Sequence, residues 1–142
     1  MDTSILAPAA VLVVWSLFML LWMAATRFPA IFNSGLDLKA APPGGRGQDL
    51  EQVLPANVNW KSHNYTHLME QPTIFYAAVL IIAVAGSSTP TMVNFAWGYA
   101  ILRIIHSLYQ SLFNVVMVRF SIFVLATICL MVLAVHAVIT TI

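Results

Sequence analysis

Four apolar runs, each long enough to cross a bilayer, constrain this chain more than anything else in it. They cover about residues 4–26, 62–86, 91–111 and 115–141. A helix rises about 1.5 Å per residue, so some twenty apolar residues span a hydrocarbon core about 30 Å thick. Backbone polar groups find no water at that depth, and only helices and closed barrels satisfy them internally. None of the runs alternates polar and apolar residues with period two, which argues against barrel strands. The expected fold is therefore all-α: an integral membrane four-helix bundle, a single domain over 1–142 with a long loop over 28–60. Composition points the same way. Hydrophobic residues make up 61% and charged residues 8%, where a soluble chain carries about 25% charged. The net charge of +1 gives no electrostatic basis for a nucleic-acid partner. Cys129, the single cysteine, lies in an apolar run and reads as a small buried apolar residue.

The connections differ in kind. In the first loop, Pro42-Pro43-Gly44-Gly45 marks irregular backbone, and 48–54 has room for one or two helical turns before Pro55. The second, Gly86-Ser87-Ser88-Thr89-Pro90, predicts a tight turn with Thr89 as cap and Pro90 at a helix start. The third is a few residues around Asn114. Arg27, Lys39, Arg46 and Lys61 lie in or beside the first loop and Arg119 near the third, while the second connection and both ends have no Lys or Arg. The positive-inside rule then puts loops one and three in the cytoplasm and both termini outside. No Lys or Arg precedes the first run, which is also too long for the core of a signal peptide, so it is expected to be retained.

Ionisable side chains at bilayer depth are costly, and they are where function is expected. The second run opens with His63, Asn64, His67, Glu70, Gln71 and Pro72. At about 100° per residue, His63, His67 and Glu70 fall within about 60° of one another, with Asn64 and Gln71 beside them. Such a stripe must face protein or water, and Pro72 removes one helical hydrogen bond and frees the Leu68 carbonyl. The third run carries a second stripe: Tyr99, Arg103, His106 and Gln110. Arg103 lies near mid-span and needs a partner. Glu70 is the only acid in any apolar run, so a Glu70–Arg103 ion pair is expected, within one subunit or across two. Arg119 either snorkels to the interface or points inward at an anionic ligand. His63, His67 and Glu70 have metal-ligand spacing, but helix-bundle di-metal sites draw carboxylates from several helices, so no metal is expected. Cationic groups outnumber Glu70 inside the bundle. That inventory suits an anionic ligand, with apolar helix faces to admit a lipophilic second substrate.

Taken together, His63-Asn64-Tyr65-Thr66-His67-Leu68-Met69-Glu70-Gln71-Pro72, the segment from Trp97 through Arg103 and His106 to Gln110, and Asn114 with Arg119 resemble the MAPEG family, membrane-associated proteins in eicosanoid and glutathione metabolism, in its bacterial form. The resemblance covers most of the chain. It implies a homotrimer in a bacterial inner membrane, termini periplasmic, with sites between subunits. It implies a glutathione-dependent transferase or peroxidase acting on lipophilic electrophiles. Arg119 would stabilise the glutathione thiolate, and His63, His67, Glu70, Arg103, His106 and Gln110 would hold the rest of the ligand. The chain departs from the family pattern in placing His63 and His67 where arginine and asparagine are usual. Gln110 and Phe123 likewise stand where tyrosines are common. Two alternatives stay open: a non-catalytic membrane subunit or lipid-binding scaffold of a larger membrane complex, and a metal or quinone site around His63, His67 and His106.

Overall fold

The computed structural model describes residues 3–142, so Met1 and Asp2 of the expected domain lie outside the described residues. Four long helices make the molecule: α1 Leu6–Asn33, α2 Ala56–Val84, α3 Pro90–Leu112 and α4 Val116–Ile139. Two short 3-10 turns, Leu38–Ala40 and Gly47–Leu50, lie in the first loop, and the described residues contain no strand. By length and composition α1, α2 and α4 can each cross a membrane. The fourth, α3, has 23 residues, about 35 Å of helix. Its hydropathy is lowered by Arg103, His106 and Gln110, all of which are buried.

Local chemistry explains most helix ends. Thr89 caps α3 by accepting from the Met92 amide at 3.3 Å, with Pro90 in the first helical position. After α2, Gly86 adopts φ +66° and Ser87 N–H returns to the Ile82 carbonyl at 3.1 Å, closing the helix through a left-handed residue. Asn114 plays the same part after α3 at φ 56°. Two ends differ from expectation. The first helix runs on from Thr26 to Asn33 through Pro29, because Phe28, Ala30, Ile31 and Phe32 extend its apolar character past the single bond that proline removes. The second starts at Ala56, directly after Pro55, whose carbonyl accepts from the Val58 and Asn59 amides. The first loop is thus 34–55 rather than 28–60. It is tied down by Asn59 Nδ2, which donates to the Glu51 carbonyl at 2.8 Å and the Leu54 carbonyl at 3.2 Å. Arg27 adds bonds to Ser62 Oγ at 2.6 Å and to the Gly47 carbonyl.

Helices α2 and α3 form the centre, each packing on the other three; α3 packs most extensively on α4, and α1 meets α2 and α3 but not α4. Ile5, Leu12, Phe75, Val79, Ile82, Tyr99, Ala126 and Leu133 form the core. Gly98 lets α3 and α4 approach closely, since a Cβ there would sit 3.3 Å from Cys129 Sγ. Outward faces stay apolar, with Val14, Leu21, Val84, Met117 and Met131 all well exposed, as lipid rather than water requires. In lipid, close packing and interhelical hydrogen bonds hold helices together more than exclusion of water does. One such bond joins His136 Nε2 to the Ser87 carbonyl at 3.0 Å, clasping the end of α4 to the α2–α3 turn.

Candidate functional site

The polar stripe of α3 turns wholly inward: Tyr99, Arg103, His106 and Gln110 are all buried. The broader stripe of α2 divides. Asn64, His67 and Gln71 face the neighbouring helices, whereas His63, Thr66, Glu70 and Thr73 are exposed on the single chain. An arc of about 100° is wider than one helix–helix contact covers, so part of it is left over. On the inward side Asn64 Nδ2 donates to Ser107 Oγ at 2.7 Å, a hydroxyl that also accepts from Trp15 Nε1 at 3.0 Å. Gln71 joins α2 to both partners, donating to Thr127 Oγ1 at 3.0 Å and accepting from Tyr99 OH at 3.3 Å.

Arg103 is fully buried, and the ion pair expected with Glu70 does not form within the chain. Glu70 points outward, and among the described residues the one ion pair joins His63 to Glu51. Arg103 is served instead by His67. Its Nη2 donates to the His67 carbonyl at 2.9 Å and to His67 Nδ1 at 3.1 Å. The guanidinium also lies 5.6 Å from the centre of the Phe123 ring. Nε and Nη1 have no hydrogen-bond partner among the described residues. Sequence reasoning looked for a carboxylate and missed this arrangement, because a backbone carbonyl leaves no mark in the sequence.

Beside His67 opens a cavity of about 420 Å³. Its walls are His63 and His67 of α2, His106 and Gln110 of α3, and Val116, Arg119, Phe120 and Phe123 of α4. Of the residues singled out from sequence, His63, His67, His106, Gln110 and Arg119 meet here; Glu70 and Arg103 do not line it. The His67 and His106 rings stack, centroids 5.2 Å apart and planes 21° apart. Phe123 meets the edge of His67 at 5.4 Å. Arg119 is half-buried and aimed by the preceding turn: its Nη1 donates to Asn114 Oδ1 at 2.7 Å. Gln110 Oε1 is buried and unpartnered. At the rim His63 Nε2 meets Glu51 Oε1 at 2.9 Å.

Among the described residues no acidic side chain lines the cavity, and Glu51 reaches only its rim through His63. Guanidinium and imidazole groups dominate its polar part, so an anion is the ligand its walls favour. Val116 and Phe120 are exposed, giving the site an apolar flank on the outside of α4. Among the described residues no group of three or more His, Cys, Asp or Glu is placed to hold a metal ion. Three contributors escaped the sequence reading. Glu51 comes from the loop, where spacing carries no signal, and Val116 and Phe120 are apolar residues within an apolar run, which marks no site.

Compared with known proteins, the chain matches no curated protein and no solved structure. A family model described as "MAPEG family" matches residues 5–139, a span that includes all four helices and every wall of the cavity. The chain belongs to the MAPEG family.

Proposed function

We propose that the cavity binds glutathione or a similar anionic thiol, and that Arg119 stabilises the thiolate for transfer to a lipophilic electrophile. The observation that carries this reading is a cavity rich in cationic and hydrogen-bonding groups, with no acid among its described lining residues, flanked by an apolar wall. Family membership supports it, since the MAPEG pattern implies glutathione chemistry. In the reaction, the thiol proton leaves to water at the mouth. The sulfur then attacks the electrophilic carbon, and a C–S bond forms as the leaving group departs with its electron pair. Arg119 holds the sulfur anionic before attack. His63, His67, His106 and Gln110 hold the rest of the ligand. Reduction of a lipophilic hydroperoxide is the peroxidase variant of the same site.

The working unit in this reading is a homotrimer in a bacterial inner membrane, with the cavity on the cytoplasmic side and both termini periplasmic. Its support is the outward part of the α2 stripe. Glu70 is exposed on a membrane-spanning helix, and a second subunit shelters it from lipid. Glu70 then joins the site from the contact between subunits, while Arg103, buried in its own chain, supports it through His67.

Calorimetric titration of the purified protein in nanodiscs with glutathione tests the proposal. Wild type is expected to bind and Arg119→Ala to bind about tenfold more weakly or worse, as for loss of a charge-assisted hydrogen bond. Conjugation of a chloronitrobenzene is expected to fall at least as far. Absence of both binding heat and conjugation in wild type favours the second reading, a non-catalytic membrane subunit or lipid-binding scaffold. Gln110 and Phe123 speak for that reading, because both stand where tyrosines are common in the family.

A further inference from the structure

The buried Arg103 does something more specific than fill space. A guanidinium has only donors, so any ring nitrogen within its reach must offer a lone pair. His67 Nδ1 lies 3.1 Å from Arg103 Nη2, and the His67 carbonyl lies 2.9 Å from the same nitrogen. The two hydrogens of Nη2 serve both acceptors. The imidazole is therefore neutral with its proton on Nε2. The alternative tautomer and the imidazolium would each set an N–H against an N–H at this part-buried contact. Turning the ring over would set Cδ2–H against Arg103 Nη2 and lose the Nδ1 bond. It is stacked on His106 and edged by Phe123, with centroids 5.2 Å and 5.4 Å away. Its backbone end is held by the same arginine.

We propose that Arg103 is a positioning residue that fixes His67 as the Nε2–H tautomer, so that His67 serves the cavity as a neutral hydrogen-bond donor to the thiolate or a carboxylate of the anionic ligand. The proposal rests on the anionic-thiol reading above for the ligand, and on geometry alone for the tautomer. Nδ1 is occupied, and Arg103 lies outside the cavity lining, whereas His67 is part of it. No hydrogen bond within the described chain takes up Nε2, and it is not among the buried unpartnered atoms. In this state His67 is neither a base nor a metal ligand through Nδ1. A glutamine amide reaches the position of Nε2 and offers an equivalent N–H there, which makes His67→Gln the conservative replacement.

Nitrogen-15 NMR of histidine-labelled, full-length protein in nanodiscs tests the positioning without any ligand. The His67 signals, assigned by their loss in His67→Gln, are expected to show a protonated Nε2 and an unprotonated, pyridine-like Nδ1 near pH 7. Arg103→Lys, which keeps a donor, is expected to preserve that pattern, and Arg103→Met to give mixed tautomers. A protonated Nδ1 or a charged ring in wild type overturns the proposal, whatever becomes of the variants. Glutathione titration tests the donor role. His67→Gln is expected within about threefold of wild type and His67→Leu about tenfold weaker or worse, the cost of one hydrogen bond to a charged group. Equal binding by His67→Leu and wild type overturns the donor role. If wild type binds no glutathione, the proposed function and the donor role fall together, while the NMR pattern still decides the tautomer.

Discussion

Arg119 owes its direction to a single turn residue. Asn114 sits in the left-handed region at φ 56°, where asparagine and glycine are tolerated and most side chains are strained. From there its Oδ1 accepts from Arg119 Nη1 at 2.7 Å. The residue therefore does two jobs, and a substitution can separate them. Asn114→Gly keeps the backbone conformation and removes the anchor. Its thermal midpoint is expected to stay within a few degrees of wild type, while glutathione affinity falls about threefold to tenfold, the net worth of one ordinary hydrogen bond, because the anchor acts on the ligand only through Arg119. Differential scanning fluorimetry and calorimetry on the same preparation check both halves. Much at this scale was legible beforehand. His63, His67, His106, Gln110 and Arg119 stood out because polar groups are expensive in an apolar run, and they share one cavity. The partner of Arg103 was not legible, because its acceptors are a ring nitrogen and a carbonyl brought near by packing.

Between elements, the tightest constraint is the approach of α3 to α4. An added Cβ at Gly98 would meet Cys129 Sγ at 3.3 Å, closer than ordinary van der Waals contact. Overpacking of this kind costs about 1–3 kcal/mol. Gly98→Val is expected to lower the melting temperature by several degrees, and Cys129→Ala on that background to restore part of the loss. A double-mutant cycle read by thermal unfolding measures the coupling; additive effects would mean that α3 and α4 do not meet there. The helices themselves were readable as apolar runs, and the Thr89-Pro90 start of α3 from its residue types. The outer ends of the first loop were not. The sequence between 28 and 33 mixes proline with apolar residues, and only the continued helix shows that Pro29 is tolerated. The residues before 62 look polar, yet Asn59 and Lys61 are buried against the loop and α3.

For the molecule as a whole, Glu70 is the residue that a single chain leaves unexplained. It is exposed, with Thr66 and Thr73 beside it, on a helix able to cross the membrane. Lipid contact would cost several kcal/mol, whereas a neighbouring subunit can supply donors. Native mass spectrometry from detergent is expected to show a trimer, and Glu70→Leu to weaken it toward monomer. A stable monomer whose melting temperature rises on Glu70→Leu would show that Glu70 faces lipid and would remove the trimer from the reading.

The sequence by itself determined the solvent, the helices and the cast of polar residues. Each follows from short-range facts: length of apolar run, capping chemistry, and the cost of charge in hydrocarbon. Membership of the MAPEG family was legible for the same reason, since its pattern is a linear one. Only the tertiary structure decided which of those residues meet. Whether a stripe about 100° wide turns inward or outward depends on a rotation about the helix axis that neighbouring helices set. That rotation brought His67 under Arg103, joined His63, His106, Gln110 and Arg119 around one cavity, and left Glu70 outside.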